Sequence, residues 1–377
     1  MPLDLHRLFN PRAIALIGAS TELGTISGQP MNFLVKRGYQ GALYPVNPKY
    51  AELLGRKCYA AIDEVPEVPD VAIILVNARL AVKMLEACGR KGVPFVIMFS
   101  SGFSEIGAEG VTMQNELRAI AQRYDIGFVG PNCQGIIGVP AKAYAGFGSA
   151  FIYDYQPGPV SMVSQSGGFG FSVMSLAAME GGVGFRYVVT TGNEVGISTL
   201  DFWRFLIDDP GTQMIASYTE GMKDAWQLRE IGEAALDARK PILVWKVGNS
   251  EEGQRAVASH TANLSGATAL HQAAFKQTGI QQIEDIQDIV DYSAAFQCGK
   301  LPRGNRVAII TISGGDGIMM TDEAIARGLA VQPLSPETVE KLRPRVSLFS
   351  ALGNPMHSRA GSIGRTERCR NALEPII

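Results

Sequence analysis

The chain is expected to be an α/β protein with parallel sheets. Short β-rich apolar runs alternate with longer stretches of helical periodicity, the pattern of strand–helix–strand crossovers. The 42 glycines fall mostly at the ends of the apolar runs, where strand-to-helix turns need positive φ or a close approach. A length of 377 residues predicts two or three domains.

The first series of strands is expected at 13–17, 42–46, 71–76, 95–99 and 126–129, with helices at 80–90 and 113–124 between them. That is a doubly wound sheet of the Rossmann type. The segment 140–159, rich in Gly, Ala, Tyr and Pro, reads as a linker. A second series follows, with strands at 160–163, 187–190, 214–218 and 242–247 and helices at 169–179, 224–237 and 267–277. A third unit opens near Pro302, with a strand at 307–312 and a helix from about 317 to 327. After it, 351–355 reads as a turn and 366–377 as a helical tail, so the third domain is expected to be incomplete or to need a partner.

Composition narrows the function classes. The net charge of −2, with no basic stripe, gives nucleic-acid binding no electrostatic support. No apolar run reaches the length of a membrane span, and residues 1–9 lack the charged-then-apolar order of a signal peptide. Cys58, Cys88, Cys133, Cys298 and Cys369 are odd in number and scattered, with no C-x-x-C pair. Neither a disulfide framework nor a metal site is expected, and the protein is expected in the reducing cytoplasm.

Candidate ligand turns follow the strands. After the first strand comes Gly18-Ala19-Ser20, whose small residues let backbone N–H groups approach a phosphate at a helix N-terminus. Ser20 stands where Gly-x-Gly-x-x-Gly has its second glycine, which weakens a plain dinucleotide reading. Asn47-Pro48-Lys49 ends the second strand. Lys49 occupies the region where an NAD site has an acid, and it suits a phosphate better; alone it reads as a solvated turn residue. Ser100-Ser101-Gly102-Phe103 and the turn around Asn132 complete four turns at strand C-ends, where open parallel sheets bind ligands.

Two further corners, Ser164-Gln165-Ser166-Gly167-Gly168 and Ser313-Gly314-Gly315, would each aim free N–H groups and a helix dipole at an anion. Tight helix–strand packing also selects such glycines. His260 lies among small residues, Ser259-His260-Thr261-Ala262-Asn263-Leu264-Ser265-Gly266, where a second reactant can reach it. A neutral imidazole is a competent nucleophile toward phosphorus, so this histidine with two anion-ready corners favours a phosphohistidine site. Glu220, at a strand end before a glycine, is placed to fix the tautomer of His260; it reads equally as a loop or helix-start acid. His6, His271 and His357 show no metal spacing.

With these motifs assembled, the chain resembles the NDP-forming acyl-CoA synthetases, relatives of succinyl-CoA synthetase, from about 8 to 373. The motifs that carry the resemblance are Ser259-His260-Thr261 with Leu264-Ser265-Gly266, Ser164-Gln165-Ser166-Gly167-Gly168, Gly130-Pro131-Asn132 and Thr191-Gly192-Asn193-Glu194, in that family's order. The resemblance implies a Rossmann-type CoA-binding domain at 1–140, a flavodoxin-like phosphohistidine domain at 141–300, and the start of a second flavodoxin-like ligase domain at 301–377. It implies that His260 is the phosphorylated histidine and Glu220 its supporting acid. Gly18, Ala19, Ser20, Asn47, Pro48, Lys49, Ser100, Ser101, Gly102, Phe103 and Asn132 would line the CoA site. Ser164, Ser166, Gly167, Gly168, Ser313, Gly314 and Gly315 would hold phosphate, the two corners facing the phosphohistidine from opposite sides.

The substrates implied are CoA and an acyl-CoA or carboxylic acid. ATP or ADP and Mg would sit on an ATP-grasp subunit or fused domain, because no Walker loop or ATP-grasp sequence occurs here. An oligomer is implied, with no membrane or nucleic-acid partner. One departure is His357, which follows Asn354-Pro355-Met356 where the family has an Asp. Two other readings stand beside this one. The chain is a CoA-sensing module without turnover, which CoA binding without phosphorylation would mark. Or it is an NAD(P)-dependent dehydrogenase, which the imperfect glycine fingerprint and Lys49 oppose.

Overall fold

The structure is a computed structural model and describes residues 4–255, 268–297, 302–346 and 351–357. The chain forms two units, Met1–Cys298 and Gly299–Ile377.

The first unit holds two sheets. Strands β1 (Ala13–Ile17), β2 (Ala42–Val46), β5 (Val71–Ile74), β6 (Phe95–Met98) and β7 (Gly127–Val129) form one sheet, parallel throughout, in the order β2-β1-β5-β6-β7. A small antiparallel pair, β3 (Glu52–Leu53) and β4 (Arg56–Lys57), stands apart from it. Every residue of β1, β5 and β6 is buried, which is why their sequences are continuous apolar runs rather than alternating ones. The chain turns to opposite sides of β1 on its way to β2 and to β5. The crevice outside the C-terminal ends of β1 and β5 is therefore the switch point of the sheet.

The helix Ala78–Lys91 shows how the flanking layer forms. Asn77 caps it, its Oδ1 accepting from Leu80 N at 3.1 Å, and Gly92 ends it at φ +82°. Ala81, Val82, Leu85 and Cys88 recur at helical spacing and are buried in the same apolar cluster as Ala72, Ile74, Val96 and Met98. Truncating Leu85 to Ala would cost about 2–5 kcal/mol.

The second sheet has seven strands in the order β14-β13-β12-β10-β11-β8-β9. Its parallel part is β10 (Pro157–Ser164), β11 (Phe185–Thr190), β12 (Met214–Thr219), β13 (Ile242–Lys246) and β14 (Gln281–Gln282). At one edge lies the antiparallel hairpin β8 (Gly135–Gly138) and β9 (Ala143–Gly146). This overturns the expectation of a linker at 140–159, since β9 and the start of β10 fall inside it. The hairpin packs too closely for large residues. A Cβ on Gly135 would stand 2.2 Å from Ala145 O, and one on Gly146 2.1 Å from Phe151 Cζ. Small residues satisfy that spacing but carry no β-propensity signal.

The two sheets meet along a strand edge. Beyond β11, residues 193–197 run antiparallel to the exposed side of β7. Asn193 N donates to Pro131 O at 3.0 Å, Val195 N to Gly130 O at 3.1 Å and Ile197 N to Phe128 O at 2.8 Å. Gly196 is required for this approach, because a Cβ there would lie 2.5 Å from Phe128 O.

In the second unit, β15 (Ile310–Thr311) pairs in parallel with β17 (Met356–His357), and β16 (Ala351–Leu352) pairs antiparallel with β17. The expected strand at 307–312 is thus much shorter, and the expected turn at 351–355 is a hairpin. Asn354 holds it to the strand start, accepting from Ile309 N at 2.9 Å and donating to Val307 O at 2.8 Å. The helix here is Gly314–Ala326. The tail at 366–377 lies outside the described residues.

Asp70, 1% exposed just before β5, ties the N-terminal segment to the first sheet. It accepts from Arg12 N at 2.8 Å, from the Arg12 guanidinium at 3.0 Å and from Arg7. Burial alone would push its pKa up. The hydrogen bonds from Arg12 and Arg7 outweigh burial and hold it at about 2. A carboxyl depressed on folding stabilises above its unfolded pKa and loses that contribution as pH falls through its folded pKa. The expected outcome is that Asp70→Asn is less stable than the parent at pH 6, by a margin that shrinks by about 2 kcal/mol as pH falls from about 4 to 2. Urea titrations across that range check it, and a margin independent of pH would contradict it.

Candidate active site

The four turns expected after the first sheet's strands converge at its C-terminal edge. Gly18, at φ +91°, donates its N–H to Val46 O at 2.8 Å, and a Cβ there would meet Val76 Cγ1 at 2.6 Å. Asn47 joins the first two turns by donating Nδ2 to Ala19 O at 2.8 Å. Its Oδ1 accepts from Lys49 N at 3.0 Å, so Pro48 and Lys49 belong to an Asn-closed turn. Ser100 Oγ donates to Val76 O at 2.5 Å, and Asn132 N donates to Ser100 O at 2.9 Å. Gly102 sits at φ +102° and Asn132 at φ +58°, while Phe103 is fully buried beneath the turn. Gly18, Ser20, Asn47, Ser100, Gly102 and Asn132 thus line one continuous rim, whereas Ala19, expected to line it, is fully buried beneath it like Phe103 and is a packing residue instead.

At the C-terminal edge of the second sheet, Ser166 stands at the N-cap position of the helix Gly167–Met179, its side chain making no cap hydrogen bond. Its glycines have different reasons. A Cβ on Gly170 would collide with Ser164 Oγ at 2.4 Å, and one on Gly167 would lie 2.7 Å from Gln134 Cβ. Gly168 has nothing within 4 Å, so its side of the corner is open to a ligand. Ser164 Oγ is turned inward, donating to Ser166 O at 2.7 Å.

Glu220 is 4% exposed at the end of β12. Gln165, between the two serines, holds that end in place. Its Oε1 accepts from Glu220 N at 2.6 Å, Gly221 N at 3.1 Å and Thr219 Oγ1 at 3.2 Å, and its Nε2 donates to Gly221 O at 2.7 Å. Burial pushes the Tyr218 hydroxyl up, and the Glu220 charge adds to it, giving about 12. Lys246, 2% exposed at the end of β13, is pushed down by burial against the opposing pull of Glu220.

The turn Thr191–Glu194 lies between these two rims. Glu194 Oε1 accepts from Thr191 Oγ1 at 2.8 Å, Thr199 Oγ1 at 2.5 Å and Thr199 N at 3.1 Å. Burial raises its pKa, and those hydrogen bonds with the Lys223 charge only partly offset it. Lys223 Nζ donates to Asn193 O at 3.3 Å. Asn193 Nδ2 donates to Glu105 Oε2 at 2.8 Å and to Gln114 Oε1 at 3.0 Å.

Gln165, Asn193, Glu194 and Glu105 are residues that the sequence reading did not single out. The first three stood inside motifs already quoted, while Glu105 had no local signal at all. His260 lies outside the described residues. Ser313, Gly314 and Gly315 form the other corner, in the second unit, where Ser313 Oγ accepts from Asp316 N at 3.4 Å. His357 Nε2 lies 3.0 Å from Ile312 O beside that corner. A cleft of about 590 Å³ between Arg118 and Arg204 contains none of the expected site residues. Among the described residues no cluster of His, Cys, Asp and Glu could hold a metal ion. No described helix is long and apolar enough to cross a membrane.

Residues 12–139 match the CoA binding domain family, and residues 157–296 match the succinyl-CoA ligase like flavodoxin domain family. The alpha subunit of acetate–CoA ligase (ADP-forming) I of Pyrococcus furiosus is 40% identical over 331 residues, 87% of this chain and 71% of that one. The chain belongs to the NDP-forming acyl-CoA synthetases, as an alpha-type member. The alpha subunit of the form II ligase of the same organism is 36% identical over 96% of this chain and 77% of its own length. The dinucleotide-forming acetyl-coenzyme A synthetase 1 of Ca. Korarchaeum cryptofilum, solved with phosphate and ADP, superposes with a TM-score of 0.87 at 34% identity. It covers 95% of this chain and 76% of that one. The expectations of family, α/β fold and acid–thiol ligase class hold.

Replacing Gln165 by Leu in this synthetase chain would strand the N–H groups of Glu220 and Gly221 in a buried turn. The expected cost is about 2–4 kcal/mol of unfolding free energy, read by urea denaturation. A change below about 0.5 kcal/mol would show that the Glu220 turn does not depend on this amide.

Proposed function

We propose that this chain carries the thioester and phosphohistidine steps of an NDP-forming acyl-CoA synthetase. In this reading 1–140 binds CoA, 141–300 carries the phosphohistidine, and 301–377 begins a second flavodoxin-like domain. The rim of Gly18, Ser20, Asn47–Lys49, Ser100–Gly102 and Asn132 holds CoA. Small residues at the β1 turn and the Lys49 ammonium favour its phosphates.

In the acid-forming direction, a phosphate oxygen attacks the thioester carbonyl. The C–S bond breaks, and CoA leaves with the proton released by phosphate, giving an acyl phosphate. The His260 imidazole then attacks phosphorus, the P–O bond to the acyl group breaks, and the carboxylate leaves. Glu220 holds the other ring nitrogen and supports the cationic phosphoimidazole. Ser164, Ser166, Gly167 and Gly168 offer N–H groups and a helix dipole to the phosphoryl oxygens, and Ser313, Gly314 and Gly315 form an anion-ready corner of their own in the other unit. ADP takes the phosphoryl group on an ATP-grasp subunit or fused domain, with Mg accompanying the nucleotide.

The observation that supports this reading best is the closeness of the two rims. Hydrogen bonds run without interruption from the Ser100 turn through Asn132 and Asn193 to Lys223, three residues beyond Glu220. Acyl transfer and phosphoryl transfer need such neighbours, because an acyl phosphate must pass from one to the other without hydrolysis. Incubation with acetyl-CoA and labelled phosphate tests it. The expected result is acid-labile label on the chain, absent from His260→Ala and lowered about a hundredfold in initial rate by Glu220→Gln. Label retained in His260→Ala would contradict the assignment.

A further inference from the structure

We infer that Glu105 and Asn193 form a positioning clasp that fixes the CoA turn to the phosphoryl-transfer domain and keeps the two reactions in register. The inference rests on the proposed CoA site. Glu105 follows the Ser100–Phe103 turn and folds back on it, its Oε1 accepting from Gly102 N at 2.7 Å. Its other oxygen, Oε2, accepts from Asn193 Nδ2 at 2.8 Å, across the boundary between the two sheets. One carboxylate therefore bridges a turn of the first sheet and a turn of the second.

Asn193 is saturated in this arrangement. Its NH₂ group serves Glu105 and Gln114, and its Oδ1 lies 3.4 Å from Asn132 Nδ2. Its backbone carbonyl accepts from Lys223 and its backbone N–H donates to Pro131 O. Burial would raise the Glu105 pKa, but its own N–H, Asn193 and the N–H groups of Gly102 and Phe103 outweigh burial and lower it. The bridge is therefore a charge-assisted one. A side chain that only capped a local turn would not need the partner across the boundary.

The polarity of the pair gives a reversible test. Glu105→Gln sets an amide NH₂ against the Asn193 NH₂. Asn193→Asp sets two carboxylates together. The double variant Glu105→Gln/Asn193→Asp restores a donor facing an acceptor, with the direction reversed. Three measurements are made on the full chain and the three variants: the Kd for CoA, labelling from acetyl-CoA plus [³²P]phosphate, and labelling from acetyl [³²P]phosphate.

The first labelling needs the CoA turn and the second bypasses it. Each single variant is expected to slow the first labelling by about tenfold to a hundredfold and to weaken CoA binding, leaving the second within about twofold. The double variant is expected to return to within about threefold of the parent. Equal loss in both labellings, no loss in either, or no recovery in the double variant would overturn the clasp. A parent chain that takes no label from either donor would overturn the proposed reaction itself, and the clasp with it.

Discussion

Three backbone hydrogen bonds hold the site together. The free side of β7 is a sheet edge, and an edge left open recruits whatever strand comes near. Here it is closed from within the chain by 193–197, which donate to Phe128, Gly130 and Pro131 carbonyls. Gly192 and Gly196 make the approach feasible, since a Cβ on either would fall within 2.5 Å of a backbone oxygen of β7 or of the loop after it. The loop after β7 and the loop after β11 are thereby parts of one wall. Both loops lie at strand C-termini, where parallel sheets expose N–H groups and where helices begin.

The polar residues along this wall, buried except for the half-buried Glu105, hydrogen-bond to one another. Gln165 fixes the Glu220 turn, Thr191 and Thr199 fix Glu194, and Glu105 fixes Gly102. A network of this kind is costly when broken and rigid when complete. Rigidity suits the chemistry assigned to it. A phosphoryl group passing between a thioester-derived anhydride and an imidazole gains most from positioning and fixed charge, and a misplacement of about 1 Å costs about a hundredfold.

The parallel core was legible because burial on both faces leaves β1, β5 and β6 as unbroken apolar runs. The hairpin β8–β9 was not, because its close packing selects Gly and Ala, and these residues read as a linker. Candidate ligand turns were legible from glycines and hydroxyls at strand ends. The clasping residues were not, because Gln165, Asn193 and Glu105 act across 55 to 88 residues of chain, and only the fold brings their partners near. Gly170 shows the limit of reading glycines alone. It stands two residues from the open Gly168, yet it serves only the approach of Ser164. His260, the residue on which the sequence reading leaned hardest, lies outside the described residues, so its role rests on motif and chemistry.

If the closed edge makes one wall of two domains, a ligand on the first sheet must be felt on the second. Hydrogen–deuterium exchange of the full chain with and without CoA measures this most directly. Slower exchange is expected at 18–20 and 100–103, and equally at 191–197 and 221–223. Protection confined to the first sheet's turns, with the latter segments unchanged, would contradict the account.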